Sequence, residues 1–294
     1  MKTYRMPDKT LYPFVARKQS IEGHNLSFLD QGQGKVIVML HGNPTWSFYF
    51  RNLVNLLQNN YRVIVPDHMG CGFSDKPQDY PYTLKTHIDN LENLLAGLGI
   101  EKFSLVLHDW GGAIGMGLAV RYPERVESIV VLNTAAFRSR RIPLRISICR
   151  IPLLGDLIVR GLNGFARGAL SMAVTNKMPP AVASGYLEPY DSWAHRIALL
   201  RFVQDIPMKP GHPSWQSLME IEEGLTLFQN TPMLILWGGR DFCFNRHFYE
   251  EWLQRFSGAE SHFFPDAGHY VLEDAFDLLA PLTVNFFNRT GNEL

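Results

Sequence analysis

The sequence predicts an α/β fold: a mostly parallel eight-stranded sheet with helices on both faces and an inserted helical cap. Three observations lead there. Continuous apolar runs such as Val36-Ile37-Val38-Met39-Leu40 and Met233-Leu234-Ile235-Leu236 read as strands buried on both faces. Up to residue 133 such runs alternate with helix-spaced segments, the rhythm of a parallel sheet between two helical layers. The rhythm stops over residues 134–230, where helix-like apolar stretches are interrupted by Pro143, Pro152, Pro179, Pro180, Pro189, Pro207, Pro210 and Pro213. The expected organisation is therefore a core from 1–133, a cap from 134–230 and a returning core from 231–294.

In chain order, residues 14–30 give two short strands, the second alternating as Asn25-Leu26-Ser27-Phe28-Leu29-Asp30. Strand 36–40 runs into His41-Gly42-Asn43-Pro44, and a helix follows over 47–57. Strand 61–66 ends in a glycine-rich loop, 67–75. Leu84, Ile88, Leu91, Leu94, Leu95 and Leu98 recur at helical spacing and predict a helix over 83–98. Leu105-Val106-Leu107 is a strand that stops at His108-Asp109-Trp110, and Gly111, Gly112, Gly115 and Gly117 begin a small-residue helix at once. Strand 128–133 closes the first half. After the cap come strand 233–238, a helix around 247–256, a strand near 261–264 and a C-terminal helix.

A chain of 294 residues with 46% hydrophobic residues can bury a large core, and a net charge of zero argues against a nucleic-acid partner. Met1-Lys2-Thr3-Tyr4-Arg5-Met6-Pro7-Asp8 lacks the apolar centre of a signal peptide, so no leader is expected. Cys71, Cys149 and Cys243 are odd in number and scattered, which fits a reducing cytoplasm and neither a disulfide framework nor a metal site. No cofactor and no metal are expected.

Strand, sharp turn and small-residue helix at 105–115 form a nucleophile elbow, and its tip is Asp109. Parallel sheets bind ligands beyond the carboxyl ends of their strands. Four polar clusters fall at such ends: His41-Gly42-Asn43-Pro44, His108-Asp109-Trp110, Gly239-Arg240-Asp241 and Gly268-His269-Tyr270. Singly each has a plain reading: Asp109 as a helix N-cap, Asn43 as an Asx turn, Asp241 as a turn residue, Trp110 as core and His269 as a loop histidine. Jointly they supply one mechanism. A carboxylate nucleophile forms an ester at a substrate carbon. His269, oriented by Asp241, is the candidate base, and Asn43 and Trp110 offer N–H donors to a departing anion.

At these residues the sequence resembles the haloalkane dehalogenases of the α/β-hydrolase superfamily over nearly the whole chain. The resemblance implies an α/β-hydrolase fold with Asp109 as nucleophile and Asn43 and Trp110 as ligands of a leaving halide. Some branches carry the acid after the sixth strand. Asn133-Thr134-Ala135-Ala136 offers none, so Asp241 takes that role. Leu107 stands where many hydrolase elbows have glycine. A closer resemblance rests mainly on the cap, in Gly161-Leu162-Asn163-Gly164-Phe165-Ala166-Arg167-Gly168, Tyr190-Asp191-Ser192-Trp193-Ala194-His195-Arg196-Ile197 and Arg201-Phe202-Val203-Gln204-Asp205-Ile206-Pro207. Asn133 to Phe137 and Asp241-Phe242-Cys243-Phe244 share it. It is to the β-lactone decarboxylases of bacterial long-chain olefin biosynthesis, and it implies conversion of a cis-3,4-dialkyl oxetan-2-one to a cis-alkene and carbon dioxide. A hydrolytic haloalkane dehalogenase is the alternative. An epoxide hydrolase, which needs cap tyrosines, and a non-enzymatic binding module come behind it.

Within 134–177 the bases Arg138, Arg140, Arg141, Arg145, Arg150, Arg160, Arg167 and Lys177 face one acid, Asp156. A lid with solvated arginines is the plainer reading; peripheral contact with a membrane or a partner is the sharper one. The resemblance implies complexes with other olefin-pathway enzymes, including the β-lactone synthetase. Tyr186, Tyr190, Trp193 and His195 are the candidate cap contacts to the substrate, against a packing role.

Overall fold

A computed structural model describes residues 7–292. The first six residues, which carry most of the stretch read as lacking a leader, and the last two lie outside the described residues. Strands β1 (Arg17–Ile21) and β2 (His24–Gln31) form a hairpin whose turn residues, Glu22 and Gly23, both have left-handed φ, as a tight right-twisted hairpin requires. Six strands follow: β3 (Val36–Leu40), β4 (Arg62–Pro66), β5 (Phe103–Asp109), β6 (Val126–Thr134), β7 (Met233–Gly238) and β8 (Glu260–Phe264). They build one eight-stranded sheet in the order β1-β2-β4-β3-β5-β6-β7-β8. Only β2 runs antiparallel to its neighbours; from β4 to β8 every pairing is parallel.

Helices cover both faces. On one lie α1 (Arg51–Leu57) and, at the end of the chain, α10 (Val271–Asp274) and α11 (Phe276–Asn292). On the other lie α2 (Leu84–Gly97), α3 (Trp110–Arg121) and α9 (Arg246–Arg255). Thr83 caps α2 by accepting the Thr86 N–H, and Asn245 caps α9 through the His247 N–H. The apolar residues of β3, β5, β6 and β7 feed the two cores alternately, because successive side chains point to opposite faces.

Between β6 and β7 the described residues hold no strand. This segment contains α4 (Leu144–Cys149), a wide helical turn at Asp156–Gly161, α5 (Gly164–Met172), α6 (Pro180–Leu187), α7 (Ile197–Gln204) and α8 (Trp215–Gly224). The prolines separate these pieces as expected, with Pro143 and Pro179 immediately before α4 and α6. Helix α8 packs through Leu218 and Ile221 into the same core as α2 and α3, so the lid over the site is built from the pieces that precede it.

A buried ion pair fastens lid to core. Arg51 on α1 donates from both terminal nitrogens to Glu273, at 2.5 and 2.9 Å, and lies over the Phe48 ring. Tyr186 of α6 donates its hydroxyl to the same carboxylate. Removing one member would leave the other charge buried and alone. Glu273→Ala is expected to lower the unfolding free energy by about 3 kcal/mol, measured by urea denaturation; a loss below 1 kcal/mol would show that Arg51 finds water instead.

Candidate active site

Strand β5 is buried up to its last residue, Asp109, and there the chain turns into α3 with φ 51° and ψ −124°. Left-handed φ is costly for a residue with a side chain. Packing against the neighbouring strands holds it. Gly112 lies so close to Thr134 that a Cβ would overlap the Thr134 hydroxyl, and that hydroxyl donates to the Asp109 carbonyl. The carboxylate stands at the N-terminus of α3, where the helix dipole favours negative charge. Its Oδ1 accepts the backbone N–H of Asn43 at 2.6 Å, and the Trp110 backbone N–H also lowers its pKa. Burial still raises Asp109 above the ordinary carboxylate range, against the opposing pull of His269 and these N–H groups.

The Oδ2 atom of Asp109 lies 3.7 Å from His269 Nε2. His269 donates its Nδ1–H to Asp241 Oδ2 at 2.7 Å, since a carboxylate acceptor fixes the proton on Nδ1. Asp241 is held from several directions. Its Oδ1 accepts the N–H groups of Cys243 and Phe244, and its Oδ2 also accepts Asn133 Nδ2 at 3.0 Å. Asn133, at the tip of β6 with left-handed φ, exchanges further hydrogen bonds with Gly238. Burial lowers the His269 pKa, but Asp241 and then Asp109 outweigh it, so the imidazole lies above its ordinary value. His108 packs its ring on His269 at 4.5 Å, and burial keeps it neutral.

Asn43 and Trp110 line the same cavity as Asp109 and His269, a space of about 420 Å³. One Asn43 amide N–H donates to the Leu199 carbonyl of α7 at 2.9 Å, which leaves the second free, since a primary amide carries two. The Trp110 indole packs on Phe202. Most of the remaining wall is hydrocarbon from both core and lid, including Leu84, Phe137, Ile146, Ile158, Phe165, Val203, Phe244 and Phe248, with Ser139, Arg141 and Arg145 as its polar members. A buried carboxylate with a histidine–acid pair beside it therefore shares one largely apolar chamber with an asparagine amide and a tryptophan, an arrangement suited to displacement at a substrate carbon.

The four lid residues expected to touch substrate are elsewhere. None of Tyr186, Tyr190, Trp193 and His195 lines the cavity. Tyr186 is buried against Tyr270 and engaged with Glu273; Tyr190 is buried and donates to the Thr45 carbonyl. Half-exposed Trp193 lies under the Arg160 guanidinium, and His195 pairs with Asp191 at 2.6 Å. The polar atoms of Tyr186, Tyr190 and His195 are committed to the protein and the Trp193 ring is covered by Arg160, so these residues pack and fasten the lid. Asn133 is the functional residue that sequence reasoning passed over; an asparagine ending a buried strand was its visible signal.

Residues 35–147 match the family model described as the alpha/beta hydrolase fold. The chain is 48% identical to a cis-3-alkyl-4-alkyloxetan-2-one decarboxylase of Shewanella oneidensis, covering 96% of this chain and 91% of that protein. It is 41% identical to the protein of the same name from Xanthomonas campestris, covering 95% and 97%. The crystal structure of the haloalkane dehalogenase DbeA from Bradyrhizobium elkani superposes with a TM-score of 0.87 at 22% identity, over 95% of this chain and 99% of that one, a likeness of fold.

Two measurements test the geometry. A Cβ at Gly42 would overlap the Asp109 carboxylate. Gly42→Ala should leave the thermal midpoint within a few degrees but reduce kcat by about 100-fold, the cost of misplacing a reacting group by roughly 1 Å; an unchanged kcat would refute the fixed position of Asp109. For His269, a raised pKa means that attraction to Asp241 and Asp109 contributes fully below about pH 6.5, the unfolded value, and fades as pH rises through the folded pKa. In NMR titration the His269 midpoint should lie above that ordinary value and fall in Asp241→Asn. Equal midpoints would count against the assignment of Asp241.

Proposed function

This chain belongs to the family of cis-3-alkyl-4-alkyloxetan-2-one decarboxylases, and from that premise we propose that it converts a cis-3,4-dialkyl oxetan-2-one to a cis-alkene and carbon dioxide, with Asp109 as nucleophile. The observation that carries the mechanism is a lone buried carboxylate, backed by His269, at one end of a hydrocarbon cavity beside Asn43 and Trp110.

Asp109 Oδ2 attacks the ring carbon that bears the lactone oxygen. The carbon–oxygen bond of the ring breaks, an alkyl ester forms on Asp109, and the leaving group remains attached to the substrate as a carboxylate. The free Asn43 amide N–H and the Trp110 indole N–H receive it. In the second step the bond to the carboxylate carbon breaks and its electron pair becomes the double bond, while the ester bond to Asp109 breaks. Carbon dioxide leaves and the Asp109 carboxylate returns. Inversion followed by anti elimination is a net syn loss, so a cis lactone gives a cis alkene. No proton and no water are consumed. His269, whose Nε2 lies 3.7 Å from Asp109 Oδ2, faces Asp109 as it departs, and the apolar lining favours a step in which carboxylate charge disperses.

Attack of Asp109 at the lactone carbonyl would give a mixed anhydride and an alkoxide instead. The alkyl route suits the chamber better, because Asn43 and Trp110 line it beside Asp109 and carry N–H groups that a released carboxylate can use. A haloalkane dehalogenase would use the same three residues with a halide in place of the carboxylate and would need His269 as base toward water. The lactone itself must come from an enzyme that closes a four-membered ring. We place this chain in the cytoplasm, where its three free thiols stay reduced, and in complex with other olefin-pathway enzymes, the β-lactone synthetase among them. Among the described residues no helix is long and apolar enough to cross a membrane. The basic lid suits peripheral contact.

Purified protein given a cis-dialkyl β-lactone in ¹⁸O-water should form cis-alkene with no label in Asp109. Label in Asp109 during alkene formation would overturn the alkyl route, and halide release from a chloroalkane at a higher kcat/KM than alkene formation would overturn the decarboxylase reading. Asn43→Ala should lower kcat by about 100-fold, as loss of one oxyanion donor does.

A further inference from the structure

The lid carries an apolar surface that neither the fold nor the site requires. Ile151, Pro152, Leu153 and Leu154 are four consecutive exposed residues, and Leu144, Leu157 and Leu162 nearby are exposed as well. Runs of this kind are avoided on soluble surfaces unless they meet something. Leu153 is 84% exposed and holds a left-handed φ of 63°, a conformation that a leucine rarely adopts. The backbone there is strained to present an aliphatic side chain to the outside.

The charge around this surface is one-sided. Arg140, Arg141, Arg145 and Arg167 are exposed, and none has a carboxylate partner among the described residues. Asp156, the single acid of the segment, is taken by Arg160. The same surface continues into the cavity, whose lining includes Arg141, Ile142, Arg145 and Met172. Exposed aliphatic side chains and arginines without carboxylate partners, on lid segments that also line the chamber, match the interfacial region of an anionic bilayer: leucines reach the acyl boundary and guanidinium groups meet phosphates. The exposed side chains of 151–162 are aliphatic, and half-exposed Trp193 under Arg160 adds the kind of amphipathic ring that is enriched at a bilayer interface.

We infer that the lid face formed by 140–167 docks on an anionic phospholipid surface and opens the cavity toward it. The inference deepens the decarboxylase reading, since a dialkyl lactone partitions into lipid and would enter the cavity from there.

Vesicle co-sedimentation of the full chain tests it. Phosphatidylcholine vesicles containing phosphatidylglycerol should bind the protein, phosphatidylcholine alone should bind it weakly, and added salt should release it. Arg140→Gln combined with Arg167→Gln should weaken partitioning by roughly 25-fold, about fivefold for each arginine. Leu153→Asn suits the left-handed backbone, so it should keep or raise the thermal midpoint while weakening partitioning by about tenfold or more. Absence of vesicle binding, or equal binding by wild type and both variants, would overturn the inference. So would a complex with a second copy or with a β-lactone synthetase in vesicle-free buffer that the same variants abolish. Alkene formation from a short-chain lactone dissolved in buffer is read separately. If it persists while vesicles are ignored, docking alone fails; if vesicles bind and no alkene forms, the decarboxylase reading fails and docking stands.

Discussion

A single carboxylate is kept charged where hydrocarbon surrounds it, and most of the molecule's detail answers that constraint. Burial pushes the Asp109 pKa above the ordinary carboxylate range. Its charge is retained by two backbone N–H groups, the N-terminus of α3 and the imidazole of His269. Each of these depends on something further out. The N–H of Asn43 is in reach because residue 42 is glycine, and the imidazole is oriented by Asp241, which Asn133 and two backbone N–H groups fix in turn. The strained turn at Asp109 is thus tolerated within a shell that leaves it no relaxed alternative.

The lid is part of the same shell. Asn43 bonds to the Leu199 carbonyl, Trp110 packs on Phe202, and Tyr186 joins the Arg51–Glu273 pair. Both donors assigned to the departing carboxylate are therefore positioned by α7, an element inserted into the core topology. A change in α7 would be felt as a change in leaving-group binding, which explains how insertions on a common sheet redirect its chemistry.

Much of this was legible in the sequence, for identifiable reasons. Strands buried on both faces announce themselves as unbroken apolar runs, and the elbow announces itself because a tight turn between strand and helix needs Gly111 and Gly112. The catalytic set lies at strand ends, where position along the chain predicts position in space. The lid followed no such rule. Tyr186, Tyr190 and His195 have the polar atoms a ligand site would want, yet those atoms are spent on Glu273, Thr45 and Asp191, and the Trp193 ring is covered by Arg160, partners that only the packed structure brings near. Aliphatic residues such as Ile146 and Ile158, which do line the cavity, look in sequence like any other core positions. Asn133 was hidden for a related reason: it lacks the charge that marks a triad acid, while its role is to steady one.

The hydrocarbon lining has a consequence for how turnover ends. On the proposed route the polar groups in the chamber hold a carboxylate, and the reaction consumes it. Neither carbon dioxide nor an alkene offers Asn43, Trp110 or His269 anything to hold, so the affinity that gathers the transition state vanishes with the last bond broken. Feedback by accumulated product then has no electrostatic handle in the chamber, and what remains to retain the alkene is the same apolar attraction that any surrounding lipid supplies in greater amount.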